Sequence, residues 1–316
     1  MLKLDHVSKI YKVGTFGGKE LHAVSDVSFT IKDGEVLSLI GESGSGKSTI
    51  GKMILHLVSI SKGSIFLDDQ DVSDIKGADL KEYYRHVQGV FQDPFSSYNP
   101  IFKADRVFQT IHDEFYPNVK AEEWAGKVDE ALRAVGLNPE IVLNKFPHQM
   151  SGGQLQRFLI ARALLLDIKF LVADEIISML DASTRIDVLN LLAELKKRGL
   201  SILFITHDLS LANYISEHAV ILYRGCVAEM GVTEKIFNKP LHPYTQMLIS
   251  SVPRLDHKWE DKVNVESRGA ATGEITGCVY YDRCPLAFNK CMQRPPLVEI
   301  EPDHLVACWK VTEVQA

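Results

Sequence analysis

Apolar positions change period several times along the chain, and each change predicts a different element. Val36-Leu37-Ser38-Leu39-Ile40 reads as a short buried strand, and a helical stretch begins at Lys47. Phe170 to Ala173 and Ser201 to Thr206 read as further buried strands. Between them, Thr184 to Lys197 carries Ile186, Leu189, Leu192 and Leu195 at helical spacing, which predicts an apolar helix face. Strands alternating with helices of this length predict an α/β fold with a parallel sheet. The start differs: Leu2 to Val7 and His22 to Ile31 read as antiparallel strands joined through Gly14, Gly17 and Gly18. From about Asp105 to Gly136 the pattern is helical and polar. Beyond Pro240, proline and cysteine accumulate and periodicity fades, which places a boundary near Arg254.

Composition narrows this picture. The 316 residues suffice for about two domains. A hydrophobic fraction of 46% with 24% charged residues is that of an ordinary globular protein, not of collagen, a coiled coil or a disordered chain. The charge balance, 35 basic against 41 acidic residues, weighs against a general nucleic-acid binder. No uncharged apolar run approaches the roughly 18 residues that span a bilayer. Asp5 and Lys9 stand where a signal peptide needs an apolar core. The chain is therefore expected in the cytosol, reaching any membrane through a partner.

Four of the five cysteines, Cys278, Cys284, Cys291 and Cys308, crowd together as C-x5-C-x6-C-x16-C. In a reducing compartment such crowding reads as a metal or cluster site before it reads as disulfides. The spacing has neither the tight pairs of structural zinc nor a ferredoxin pattern, so zinc and an iron–sulfur cluster both stay open. Cys226 lies apart on a predicted strand and reads as a small core residue.

The strongest motif is Gly41-Glu42-Ser43-Gly44-Ser45-Gly46-Lys47-Ser48-Thr49, a phosphate loop between a strand and a helix. Glycines let successive N–H groups turn toward phosphate oxygens, and the helix adds its positive end. Lys47 supplies charge for the β- and γ-phosphates, and Ser48 offers a hydroxyl to Mg²⁺. Alone, the loop does not separate kinases, GTPases, recombinases and transporters. Asp174 and Glu175 end a buried strand, fitting a Mg²⁺-holding acid and a proton acceptor for water, or else a solvated acidic turn. His207 follows another strand and reads as a γ-phosphate contact or a structural histidine. Gln92 reads as a magnesium or water contact or a plain loop residue. Tyr11 could stack on a purine or belong to the core.

Ser151-Gly152-Gly153-Gln154, followed by Gln156-Arg157 and Ala161-Arg162-Ala163-Leu164, resembles the signature of ABC ATPases. The other motifs then fall in that family's order over roughly the first 250 residues. By this resemblance Tyr11 stacks on adenine, Gln92 is the Q-loop residue, Asp181 in Ser178-Met179-Leu180-Asp181 belongs to the D-loop, and His207 is the switch histidine. Glu175 becomes the general base, while Ser48, Gln92 and Asp174 serve Mg²⁺.

The fold implied is a RecA-like P-loop NTPase with an N-terminal antiparallel β subdomain and a helical signature subdomain at about 95–165. These lie within an ATPase domain at 1–254. A small cysteine-ligated extension follows at 255–316. Ile176 stands where the family usually has proline, and Met150 where leucine often opens the signature.

The segment Val90 to Pro100 is similar to the Q-loop of dipeptide/oligopeptide importer ATPases, more to the second of their two paired subunits. His242-Pro243-Tyr244-Thr245, Val252-Pro253, Gly277-Cys278, Arg283-Cys284-Pro285, Cys291, Pro296 and Cys308 resemble the same family's tail. That resemblance implies a 4Fe–4S cluster on the four cysteines, with zinc as the alternative. It also implies two subunits closing around ATP, as a heterodimer or a homodimer. The signature of one closes over the phosphate loop of the other.

The resemblance further implies two membrane permease subunits and, indirectly, an extracytoplasmic solute-binding protein as partners, with this chain peripheral at the cytoplasmic face of the membrane. Peptides are the implied solute, with oligosaccharides or nickel as alternatives. A soluble ABC ATPase acting on DNA or ribosomes, or a cluster-bearing regulator that only binds ATP, are the competing readings.

Overall fold

The computed structural model describes residues 1–13, 18–251 and 275–312. The expected boundary near Arg254 lies outside them. In chain order the strands and helices begin with β1 (Leu2–Val13), β2 (Lys19–Ile31), β3 (Val36–Ile40), α1 (Lys47–Ile54), β4 (Lys62–Leu67) and β5 (Gln70–Asp71). Next come α2 (Gly77–His86), β6 (Val87–Val90), α3 (Arg106–Phe115), α4 (Ala121–Ala134), α5 (Pro139–Val142) and α6 (Gly152–Leu164). Then follow β7 (Phe170–Asp174), α7 (Ala182–Lys197), β8 (Ser201–Thr206), α8 (Leu209–Ile215), β9 (His218–Tyr223) and β10 (Cys226–Val232). The last are α9 (Thr233–Asn238), α10 (Pro243–Ser250), β11 (Val298–Glu301), β12 (His304–Val306) and α11 (Trp309–Thr312).

The chain forms two compact units, one of Met1–Asp74 with Leu203–Ala316 and one of Ile75–Ile202. In the first, β1 pairs antiparallel with β2 and with β4, and β4 with β5. Leu2, Leu4 and Val7 of β1 and Val24, Val27, Phe29 and Ile31 of β2 fill the buried face. Both strands run longer than their apolar alternation predicts, because pairing carries on to Val13 opposite Lys19 after burial has ended.

In the same unit β3 runs parallel to β9, as the α/β pattern requires, and every residue of β3 is buried. From β9 the order continues antiparallel through β10 and β12 to β11. The cysteine-bearing tail thus contributes two strands and buries Val306, His304 and Tyr280 in this unit. One buried acid pins it there. The fully buried Glu229 accepts hydrogen bonds from the N–H groups of Leu241 and His242 (2.9 Å each) and lies 2.7 Å from His304 Nε2. A buried carboxylate needs such partners, and these come from two separated stretches of chain.

In the second unit β6 and β7 are parallel, from Val87 opposite Phe170 to Val90 opposite Ala173. Helices α3, α4 and α6 pack around Phe108, Phe158, Trp124 and Leu132, with the Phe108 and Phe158 rings stacked at 4.5 Å. On α7 the buried stripe is Val188, Leu189, Leu192 and Leu195. Ile186, expected on that face, is 48% exposed because it sits in the helix's second turn, off the stripe that starts at 188.

Candidate functional site

In the first unit, β3 ends at Ile40 and the chain turns through Gly41–Gly46 into α1. Gly46 is the N-cap at φ 104°, a left-handed conformation, and a Cβ there would come within 2.5 Å of the Ala23 carbonyl oxygen. No side chain caps α1, and no acid occupies its first turn, so its positive end is not neutralised from within. Lys47 is buried. Its Nζ donates to the carbonyls of Gly41 (2.7 Å) and Glu42 (2.9 Å), bracing the loop it belongs to. The buried hydroxyl of Ser45 has no hydrogen-bond partner among the described residues. Uncapped helix end, ammonium and spare hydroxyl together suit a polyphosphate. Ser48 and Thr49 follow in the first turn of α1.

His207 stands exposed directly after the buried strand β8, and Asp208 caps α8 by accepting from Ser210 and Leu211 N–H groups. Tyr11 is half-buried on β1 rather than in the core, with the Lys9 ammonium 5.0 Å from its ring centre.

The second unit holds the remaining motifs. Ser151 caps α6 through a reciprocal pair: its Oγ accepts from Gln154 N–H at 3.2 Å, and Gln154 Oε1 accepts from Ser151 N–H at 2.9 Å. A Cβ on Gly153 would meet Thr184 Cγ2 at 2.4 Å, whereas one on Gly152 would find nothing nearer than 3.8 Å. Gln92 is exposed just beyond β6. The strand before it is tied to α6, since Arg162 Nη2 donates to Gly89 O (2.8 Å) and Gln156 Nε2 to Phe91 O (3.4 Å). Those two roles were not legible from the motif, although both residues lie in it.

Asp174 is buried at the end of β7, and Glu175 follows with φ 50°, a costly conformation for a residue with a Cβ. Ser178 bridges back to it, N–H to the Glu175 carbonyl at 3.0 Å and Oγ to the carboxylate at 3.4 Å. Ile176 and Met150, the two departures from the family pattern, are both buried apolar residues. Asp181 caps α7, accepting from Ser183 Oγ (2.6 Å), Thr184 Oγ1 (2.7 Å) and Thr184 N–H (3.1 Å). These hydrogen bonds, from Ser183 first, hold its carboxyl far below the usual carboxylate range.

Cys278, Cys284, Cys291 and Cys308 are free thiols that line one small cavity together with His242 and Trp309. Burial raises the Cys278 thiol to about 11 and pushes Cys284 and Cys308 up as well. The arrangement of these side chains does not by itself support the expected metal-ligated extension. Among the described residues, no group of three or more His, Cys, Asp or Glu side chains is placed to hold a metal ion. A single tetrahedral zinc would need its sulfurs within about 4 Å of one another. No helix among the described residues is long and apolar enough to cross a membrane.

The ABC transporter profile matches residues 24–178, and the profile for the C-terminal region of oligopeptide/dipeptide transporters matches residues 228–291. The putative oligopeptide transport ATP-binding protein YkfD of Bacillus subtilis is 40% identical over 321 residues, covering 97% of this chain and 95% of its own. The oligopeptide transport ATP-binding protein OppF of Salmonella typhimurium is 36% identical over 298 residues, covering 93% and 89%. Among solved structures, the dimeric post-hydrolysis state of the ATP-binding cassette MJ0796 with ADP and Pi aligns at 30% identity. Its TM-score is 0.66, over 74% of this chain and 99% of that one.

Proposed function

Because the chain belongs to the ATP-hydrolysing, ATP-binding subunits of oligopeptide/dipeptide ABC transporters, we propose that it dimerises around ATP with a second, different ATPase subunit. The pair drives import of di- and oligopeptides through two separate permease subunits, from the cytoplasmic face of the membrane. The place as second of the paired ATPases rests on the resemblance of the Gln92 segment and the tail. Relatives named for peptide transport support peptides over oligosaccharides or nickel.

The observation that carries this reading is the phosphate loop, with its uncapped helix end and Lys47 held on the loop carbonyls at 2.7 and 2.9 Å. Lys47 gives up two carbonyls for phosphate oxygens when nucleotide binds, and the N–H groups at the start of α1 complete the cradle. The family resemblance assigns Ser48, Gln92 and Asp174 to Mg²⁺, which when bound neutralises phosphate charge. Glu175 takes the proton of the attacking water, and His207 contacts the γ-phosphate. Ser151, Gly152 and Gly153 present the N-terminal end of α6 to nucleotide on the partner subunit. Asp181 contributes from its loop and Tyr11 stacks on the base.

Glu175→Gln should bind ATP as tightly as the native chain and lose at least about a hundredfold in turnover. Hydrolysis at the native rate in that variant would remove Glu175 as the base.

For the four thiols we propose a 4Fe–4S cluster, with zinc the alternative. The resemblance of the tail carries this reading, and the four thiols line one small cavity. When bound, it would supply a cross-link for a proline-rich segment and a redox couple. Anaerobically purified protein should contain iron and acid-labile sulfide; zinc without iron would overturn this.

A further inference from the structure

Position 42 is an open place in the phosphate-loop pattern, and here it holds a glutamate. A carboxylate beside a polyphosphate site repels the ligand unless something neutralises it. Arg283 does so, from 241 residues away. Its Nη1 donates to Glu42 Oε2 at 2.9 Å and its Nη2 to Oε1 at 3.0 Å, the two-pronged geometry that makes arginine–carboxylate pairs strong and directional. Nη1 also donates to the Tyr223 hydroxyl at 3.2 Å. The guanidinium lies 5.6 Å from the Tyr223 ring centre and 5.7 Å from that of Tyr280. The Arg283 side chain is only 12% exposed and that of Glu42 29%, so the pair is shielded more than an ordinary surface bridge.

The backbone of Glu42 is held as well. Its N–H donates to the Tyr244 hydroxyl at 3.0 Å, and Tyr244 is fully buried on α10. Tyr223, Tyr244 and Tyr280 pack with ring centres 4.5 to 5.4 Å apart. Arg283 closes the short turn Tyr281–Arg283, and the next residue is Cys284, one of the four thiols. Both handles of Glu42 are therefore gripped by the C-terminal part of the chain.

We infer that Arg283 is a positioning residue of the ATP site: through Glu42 it neutralises and fixes the phosphate loop, so the cysteine-bearing segment sets nucleotide affinity. This rests on the reading of the loop as the ATP site. Without Arg283 the carboxylate faces the incoming phosphates uncompensated, and a triphosphate suffers more than a diphosphate. Removing the carboxylate charge as well removes the penalty.

The test is equilibrium binding of ATP and of ADP to the full chain in the cold. Arg283→Ala should weaken ATP about tenfold and ADP about threefold, while Arg283→Lys stays within about threefold of native. The double variant Glu42→Gln/Arg283→Ala should return to within about threefold of native. Native ATP affinity in Arg283→Ala overturns the inference. So does a double variant as weak as Arg283→Ala, which is what a purely structural arginine gives.

Should Arg283→Ala not fold, Arg283→Gln with and without Glu42→Gln makes the same comparison. Lys47→Ala separates the two readings. If it binds ATP normally, the site assignment itself fails; if it loses ATP while Arg283→Ala keeps it, only the role of Arg283 fails.

Discussion

Two glycine-bearing turns lead into helices in this protein, and they are built on opposite plans. The phosphate loop enters α1 through Gly46 in a left-handed conformation, with no side-chain cap. The signature turn enters α6 through Ser151, whose hydroxyl and the Gln154 amide satisfy each other's backbone groups. At the first, glycine is required by backbone geometry and no side chain caps the helix. At the second, the cap is internal and Gly153 is required by its neighbour Thr184. Two glycine motifs of similar appearance in sequence thus answer different physical demands.

Substitution should separate the two plans. Gly46→Ala meets both a forbidden φ and the Ala23 carbonyl at 2.5 Å, so it should cost about 4 kcal/mol or more and abolish ATP binding. Thermal unfolding and nucleotide titration read both. Gly153→Ala meets only the methyl of Thr184, so a loss of about 1–3 kcal/mol is expected, and Thr184→Ser should recover much of it by removing that methyl while keeping the hydroxyl bonded to Asp181. No recovery in the double variant would mean that the clash is not what demands glycine. Gly44→Ala is the mildest, since φ 78° is strained but nothing lies within 4 Å; about 1–2 kcal/mol is expected.

Legibility in the sequence followed the range of the interactions. The phosphate loop, the strand ending at Asp174 and the Ser151 turn are each made by residues within a few positions of one another, and all three were readable. The extra length of β1 and β2 was not, because it depends on pairing rather than on an apolar face. Nor was the docking of the tail, which depends on Glu229 meeting Leu241, His242 and His304. The same holds for Glu42, whose neutralising partner lies at the other end of the chain. A lone glutamate in a phosphate loop could have raised the question of its counter-charge, but composition does not say which arginine answers.

The order of strands at the tail has one more effect, on solubility. Strand β10 is almost wholly buried, and without β12 beside it would present a row of free N–H and carbonyl groups at the rim of the sheet. Such a rim recruits strands from other molecules. The rim that faces outward instead is β11, only four residues long, with Glu299 exposed and Glu301 paired to Lys239, a short charged edge that offers little to another strand. The last stretch of the chain thereby protects the molecule against edge-to-edge aggregation, apart from anything its cysteines bind.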